Sequence, residues 1–162
     1  SAASCNKWWM DTIIGTKDYG KEQEAIENLG ENHVFFLPYL MGERSPHNDP
    51  QARGTFIGMS MDTSRADMTQ AVLEGVAFAI RDSFEVAKSL GIHIERTKIC
   101  GGGAKSPLWR KIIANVLNIK VDRVGIVQLG SLPRRDRRLA ARCLLQLRME
   151  PLHRWKRQLQ RS

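Results

Sequence analysis

The sequence has few cysteines and no long apolar run. Cys5, Cys100 and Cys143 are the three cysteines in 162 residues, and none belongs to a CxxC pair. An odd number without paired spacing favours neither a disulfide framework nor a zinc site, so free thiols are predicted. No apolar run approaches the roughly 20 residues that span a bilayer. Residues 1–11 also lack the basic start and apolar stretch of a signal peptide. We therefore expect a cytoplasmic protein with no membrane partner.

Two common nucleotide-binding motifs are also missing. The triple glycine at 101–103 is followed by neither the GK[ST] of a Walker A motif nor the spacing of GxGxxG. Glycines nevertheless let a backbone approach a ligand, and the helix predicted to start at Ser106 and Pro107 offers free N–H groups and a positive dipole end. Two interpretations remain open, a nucleotide site and a tight connection between a strand and a helix.

The excess positive charge lies in the C-terminal part of the sequence. Residues 1–122 hold 14 basic and 15 acidic side chains, whereas residues 123–162 hold 11 basic and 2 acidic ones, and ten of those basic residues are arginine. The overall net charge of +8 therefore comes from the second part. Such a tail has the charge to bind nucleic acid non-specifically, with a strong dependence on salt. We expect two regions, 1–122 and a basic, poorly packed tail at 123–162.

The order of apolar patterns predicts an α/β fold. Helices are expected at 8–15, at 19–29, from Ser64 as N-cap to Gly91, from Ser106 onwards and at 139–149, and strands at 34–40, 55–59, 92–100 and 119–121. The continuous apolar run at 34–40 contains Pro38 and favours a buried strand that frays into a loop. Strand, glycine turn, helix and strand in succession are typical of a parallel α/β unit.

A spaced pattern in residues 54–74 is the most specific feature. Four strand residues are followed, after a gap of seven, by six helix residues: Gly54, Phe56, Gly58, Met59, Asp67, Met68, Ala71, Val72, Leu73 and Glu74. This pattern resembles the second signature of the FGGY carbohydrate kinases, which phosphorylate sugars with ATP. The flanking segments 35–54 and 99–116 resemble the bacterial xylulokinases of that family. The resemblance implies an incomplete ribonuclease-H-like second lobe of an actin-type ATPase over residues 1–122.

The resemblance also assigns candidate nucleotide contacts. It places the turn on the adenosine side of ATP, with Trp109 supporting the following helix. At the N-terminus, Ala3 and Lys7 occupy the places where relatives such as the glycerol kinases carry a glycine and a glutamine that touch the nucleotide. Lys105 is either close to a phosphate or a solvated surface lysine. The predicted cofactor-binding residues are Gly101, Gly102, Gly103, Ala104, Lys105, Ala3 and Lys7.

No catalytic residue and no metal ligand are predicted in this sequence. A sugar kinase needs a general base, normally an aspartate, and a first lobe that positions ATP and Mg²⁺. The resemblance places both upstream of the matched segment. The sequence contains no DxGT-like phosphate hairpin, and Asp49 does not match the family's catalytic aspartate. We therefore expect this chain alone to be inactive.

The loop from Gly42 to Gly54 gathers polar side chains. Its polar members are Glu43, Arg44, His47, Asn48, Asp49 and Arg53. They suit sugar hydroxyls or a metal-bound phosphate, but Arg44 and Arg53 also suit a structural role, pinning the loop through carboxylates or carbonyls. Because the resemblance places this loop near the interlobe cleft, we expect it to help close the site.

The tail departs from the family pattern after Asp122. Xylulokinases continue with a Gly-Pro-Tyr-Gly-Gly-Ala-Met-like turn, whereas residues 130–136 read GSLPRRD. Shifted by one base, codons for these residues are able to spell Gly-Pro-Tyr-x-Gly-Ala-Ile. We hypothesise that the tail is a frameshifted translation, and a divergent basic tail is the alternative.

Three functional interpretations follow. The chain is part of an ATP-dependent pentulose kinase that converts D-xylulose to xylulose 5-phosphate, or a nucleotide- or partner-binding module without catalysis, or a non-specific nucleic-acid binder that acts through its tail. Turnover, nucleotide binding without turnover, and salt-sensitive DNA binding distinguish them.

Overall fold

The structure is a computed structural model that describes residues 2–123. Its elements are α1 (Ala2–Trp8), a π-helical turn (Trp9–Ile14), α2 (Tyr19–Glu24), β1 (Phe35–Leu37), β2 (Thr55–Ile57), α3 (Arg65–Ser89), β3 (Arg96–Ile99), a 3-10 turn (Gly102–Lys105), α4 (Pro107–Leu117) and β4 (Lys120–Arg123). The predicted α/β class is confirmed. Three predictions concern residues outside this range: the free thiol of Cys143, the helix at 139–149 and the poor packing of the tail beyond Arg123. Within the described part, no helix has the length and apolar character needed to cross a membrane.

Two short sheets form in the described part. Strands β1 and β2 are antiparallel, with Phe36 opposite Phe56. Strands β3 and β4 are parallel, with Arg96 opposite Lys120, and α4 connects them. This arrangement confirms the parallel unit predicted from strand, glycine turn, helix and strand, and it places the turn at the carboxyl end of β3.

Helix α3 is the longest element and packs against both β1 and α4. It begins as predicted, because Ser64 and Asp67 form a capping box, and it ends before Gly91, which has a φ of 78°. Gly75 packs directly against the backbone of β1, where an added Cβ would collide with the Phe36 carbonyl oxygen. This close approach places α3 at the centre of the core.

Aromatic rings join the N-terminal helix to the antiparallel sheet. The Trp8 ring stacks on Phe36 at 6.2 Å, Trp9 packs against Phe56 at 5.4 Å, and Phe36 contacts Phe56 at 4.6 Å between ring centroids. The buried Trp9 donates its indole N–H to the Thr69 hydroxyl on α3 at 3.0 Å. The two tryptophans therefore pack α1 and the π-helical turn against β1, β2 and α3.

The sheet around β1 is buried on one face only. Phe36 is buried, whereas Phe35 is 55% and Leu37 is 41% exposed, so the predicted buried strand is buried at its central residue only. This alternation is that of a strand with one face packed on the core. The strand ends at Leu37 and the chain continues as a loop from Pro38, so the predicted fraying is confirmed.

Two further elements are shorter than predicted. Helix α2 ends at Glu24 instead of Leu29, because the chain tightens at Ile26, and Ile26 and Leu29 then pack on the core. This packing outweighs helix propensity in so short a segment. Strand β3 begins at Arg96 instead of Ile92, because its parallel partner begins only at Lys120.

Candidate functional site

The glycine turn connects β3 to α4 in two tight steps. Gly101 has φ 82° and ψ −162°, a conformation that is nearly restricted to glycine, and a 3-10 turn follows. The Ala104 N–H donates to the Gly101 carbonyl at 3.2 Å and the Ser106 N–H to the Gly103 carbonyl at 3.3 Å. Ser106 then caps α4, with Pro107 as the first helical residue.

The three glycines have different surroundings. Gly101 supplies the positive φ. Around Gly102 an added Cβ would meet no atom within 4 Å, so its side of the turn is open. At Gly103 the same Cβ would lie 2.6 Å and 2.8 Å from two carbons of the Trp109 ring. Gly103 is therefore small because of Trp109, which the triple-glycine pattern alone does not reveal.

Trp109 anchors the turn to the core. It is 3% exposed, and its indole N–H donates to the Leu73 carbonyl on α3 at 3.1 Å. Its backbone N–H donates to the Ser106 hydroxyl at 3.0 Å. The predicted supporting role of Trp109 is therefore seen in its contacts.

The remaining turn residues differ in their solvent exposure. Ala104 is buried, whereas Lys105 is exposed, as are Gly101 and Gly102. The turn thus presents backbone and one cation at the surface.

The N-terminal candidates lie on α1. Ala3 and Lys7 share this helix, and Lys7 is exposed. Between them, the buried Cys5 thiol donates to the Pro38 carbonyl at 3.1 Å, and burial raises the pKa of this thiol. Among the described residues, no hydrogen bond or ion pair joins Lys7 to the glycine turn.

The Gly42–Gly54 loop is organised by one buried carboxylate. Glu43 accepts N–H groups from Ser45 at 2.6 Å, His47 at 2.8 Å and Asn48 at 2.9 Å. The sequence indicated Glu43 as a possible partner of sugar hydroxyls or of a metal-bound phosphate, but these bonds use its oxygens for the loop itself. An acidic residue shortly before turn residues is the signal that favours this structural role.

Two further side chains of the same loop make contacts that hold it. The His47 ring contacts Asp82 on α3 at 3.4 Å between nitrogen and oxygen. Arg53 donates to the carbonyls of Pro50 at 3.1 Å and Ala52 at 2.8 Å, so its predicted pinning role is confirmed. The pKa of the nearby Tyr39 is raised by burial, and further by the charges of Asp82 and Glu43.

A small cavity lies between β1 and α3, and none of the predicted cofactor-binding residues lines it. Its volume is about 120 Å³, and its lining includes Leu37, Tyr39, Phe78, Glu74 and Asp82. Burial raises the pKa of Glu74, although a hydrogen bond from Gln70 acts in the opposite direction. In residues 2–123, no three potential metal-ligand side chains cluster together.

Comparison with known proteins matches most of the chain to one family model. Residues 2–132 match the C-terminal domain of the FGGY family of carbohydrate kinases. Xylulose kinase from Escherichia coli strain K12 is 33% identical over 164 residues, an alignment that covers 94% of this chain and 34% of that protein.

Solved structures share the fold. A xylulose kinase from Brucella ovis superposes with a TM-score of 0.69 at 42% identity, covering 76% of this chain and 25% of that one. Plasmodium falciparum glycerol kinase, solved with ADP, has a TM-score of 0.67 at 23% identity, covering 75% and 24%, and shows the fold alone. The chain therefore spans about a quarter to a third of the length of these relatives.

Proposed function

Because this chain belongs to the FGGY family of carbohydrate kinases, we propose that its glycine turn holds the adenosine part of ATP in a sugar kinase. The observation that supports this most is the open side of the turn. At Gly102 nothing lies within 4 Å of an added Cβ, and Gly101 is equally unobstructed. A ligand is thus able to reach the backbone there, directly before the capped N-terminus of α4.

Each predicted residue has a proposed part in this site. Gly101 and Gly102 give backbone access, whereas Gly103 and Ala104 shape the turn from inside, through Trp109 and the core. Lys105 is exposed, and its ammonium is proposed to meet a phosphate oxygen. Ala3 and Lys7 are proposed to border the nucleotide from α1.

The proposed reaction is transfer of a phosphoryl group from ATP to D-xylulose, giving xylulose 5-phosphate and ADP. ATP supplies the transferred group. The residues of this chain bind and orient the nucleotide, while the general base and the sugar contacts are proposed to belong to the other lobe of the enzyme. Mg²⁺ is expected with the phosphates. The described residues offer no matching group of ligands, so we assign none of them to the metal.

Calorimetric titration of the chain with ATP and Mg²⁺ tests nucleotide binding. We expect weak binding that Lys105→Ala reduces further, because one favourable charge is lost. Lys88→Ala is the matched control, since Lys88 is also exposed but lies in the last turn of α3. Equal loss in both variants, or no ATP binding at all, would contradict the proposal.

A coupled assay for ADP formation tests the division of labour between the lobes. With xylulose and ATP, the purified chain is expected to give no signal above a control without protein. Turnover that persists after further purification and disappears with Gly103→Val would place catalysis in this chain and refute that division.

A further inference from the structure

We propose that Gln23, on helix α2, is a positioning residue that fixes the glycine turn. The proposal rests on the function given above, because it concerns the same site. Ser106 donates its hydroxyl hydrogen to the Gln23 side-chain oxygen at 2.5 Å. The two residues are 83 positions apart, so the bond is a long-range tie between α2 and the start of α4.

Ser106 is the joint between the turn and α4. Its backbone ends the 3-10 turn, and its side chain caps the helix by accepting the Trp109 N–H at 3.0 Å. A serine hydroxyl has a single hydrogen, so the direction in which that hydrogen points decides where its lone pairs lie. By accepting this hydrogen, Gln23 leaves the lone pairs free for Trp109 and holds the cap in one geometry.

Gln23 is itself held in place by polar contacts of its own helix. No residue of α2 is buried. Instead, Arg65 at the start of α3 binds the Glu22 carboxylate through both Nε, at 2.9 Å, and Nη2. The Tyr19 hydroxyl donates to Asp11 at 2.7 Å, a bond that raises the pKa of the tyrosine. Helix α2 thus ties the π-helical turn, α3 and the glycine turn together, and Gln23 makes the tie to the site.

Removing only the acceptor tests this role. Gln23→Met keeps the length of the side chain but accepts no comparable hydrogen bond. A hydrogen bond with a net value of about 1 kcal/mol corresponds to roughly fivefold in an equilibrium constant. We expect the amides of residues 104–110, apart from Pro107, to exchange hydrogen about fivefold faster without nucleotide. ATP affinity should fall by no more than the same factor, because it falls only as far as the open turn is populated. Gln51→Met is the matched control, because Gln51 is exposed in the Gly42–Gly54 loop.

Gln23→Glu is the rescue variant. It keeps an oxygen that accepts the Ser106 hydroxyl, so slow exchange in residues 104–110 should return. Exchange is the rescue measurement because an added carboxylate also repels ATP. Unchanged exchange in Gln23→Met, or an increase spread evenly over residues 2–123, would overturn the positioning role. If exchange changes as expected but the wild-type chain binds no ATP, the proposed function fails while the tie between Gln23 and the turn is supported.

Discussion

Alanine at Gly102 and alanine at Gly103 should have opposite effects, although the two residues are neighbours. At Gly103 the new Cβ would lie 2.6 Å and 2.8 Å from ring carbons of Trp109, whereas carbon atoms in ordinary contact are about 3.5–4.0 Å apart. The ring is 3% exposed and is held by its bond to Leu73, so it cannot move aside cheaply. Overpacking of this kind costs about 1–3 kcal/mol.

Gly102→Ala should leave the free protein as stable as the wild type, or slightly more stable. Its Cβ meets open space, its φ is not positive, and alanine loses less backbone entropy on folding than glycine, worth about 0.4–1 kcal/mol. The same methyl group stands where ATP is proposed to approach. A steric clash that costs about 1.4 kcal/mol of binding free energy would weaken ATP binding about tenfold.

Thermal melts and calorimetry on the two variants separate these effects. Gly103→Ala should lower the melting temperature by roughly 4 °C for each kcal/mol lost. Gly102→Ala should keep the melting temperature and lose ATP affinity. Our reasoning is refuted if Gly102→Ala binds ATP as tightly as wild type, since the open side would then not face the nucleotide. If Gly103→Ala melts at the wild-type temperature, the Trp109 ring moves aside at little cost.

Three further predictions concern the core, a buried carboxyl group and the tail. Leu73→Ala should cost about 2–5 kcal/mol of unfolding free energy in denaturant titrations, because the side chain is fully buried, whereas Leu90→Ala, at an exposed position, should change it by less than about 0.5 kcal/mol. Burial raises the pKa of Glu74, so the folded state favours the protonated carboxyl group. The contribution of this group to the free energy of unfolding is complete below the ordinary carboxyl pKa and is lost as the pH rises through the raised value. Glu74→Gln should therefore melt above wild type at neutral pH and level with it near the ordinary carboxyl pKa of about 4.3; a gap independent of pH would contradict this. Replacing residues 123–162 with a family-like ending should raise both the melting temperature and the ATP affinity. Sequencing the encoding DNA should show family-like codons in the next frame. Equal melting temperatures and equal ATP affinities of the native and the restored chain would favour a genuine tail.

The sequence predicted the parts of the fold that local chemistry determines. Ser64 and Ser106 stand directly before their helices and cap them, as their positions indicated. The reason for Gly103 and the tie from Gln23 were not predictable in this way. Both depend on side chains brought together by the packing of α2, α3 and α4, and neither contact leaves a periodic pattern in the sequence. From the sequence alone, a glutamine in a polar segment is predicted to lie at the surface. Only the fold shows that Ser106 lies beside it.

Helix α3 connects the antiparallel sheet to the glycine turn. Gly75 lets α3 lie directly on the backbone of β1 at Phe36. Two residues earlier, the Leu73 carbonyl receives the indole N–H of Trp109, whose ring packs against Gly103. Protein interiors are close-packed and transmit strain, so a shift of α3 away from β1 must move Trp109 with it. The glycine turn alone is a common type of connection. Its geometry here depends on how closely α3 packs on a strand more than sixty residues earlier in the sequence, which makes the proposed nucleotide site a property of the whole described lobe.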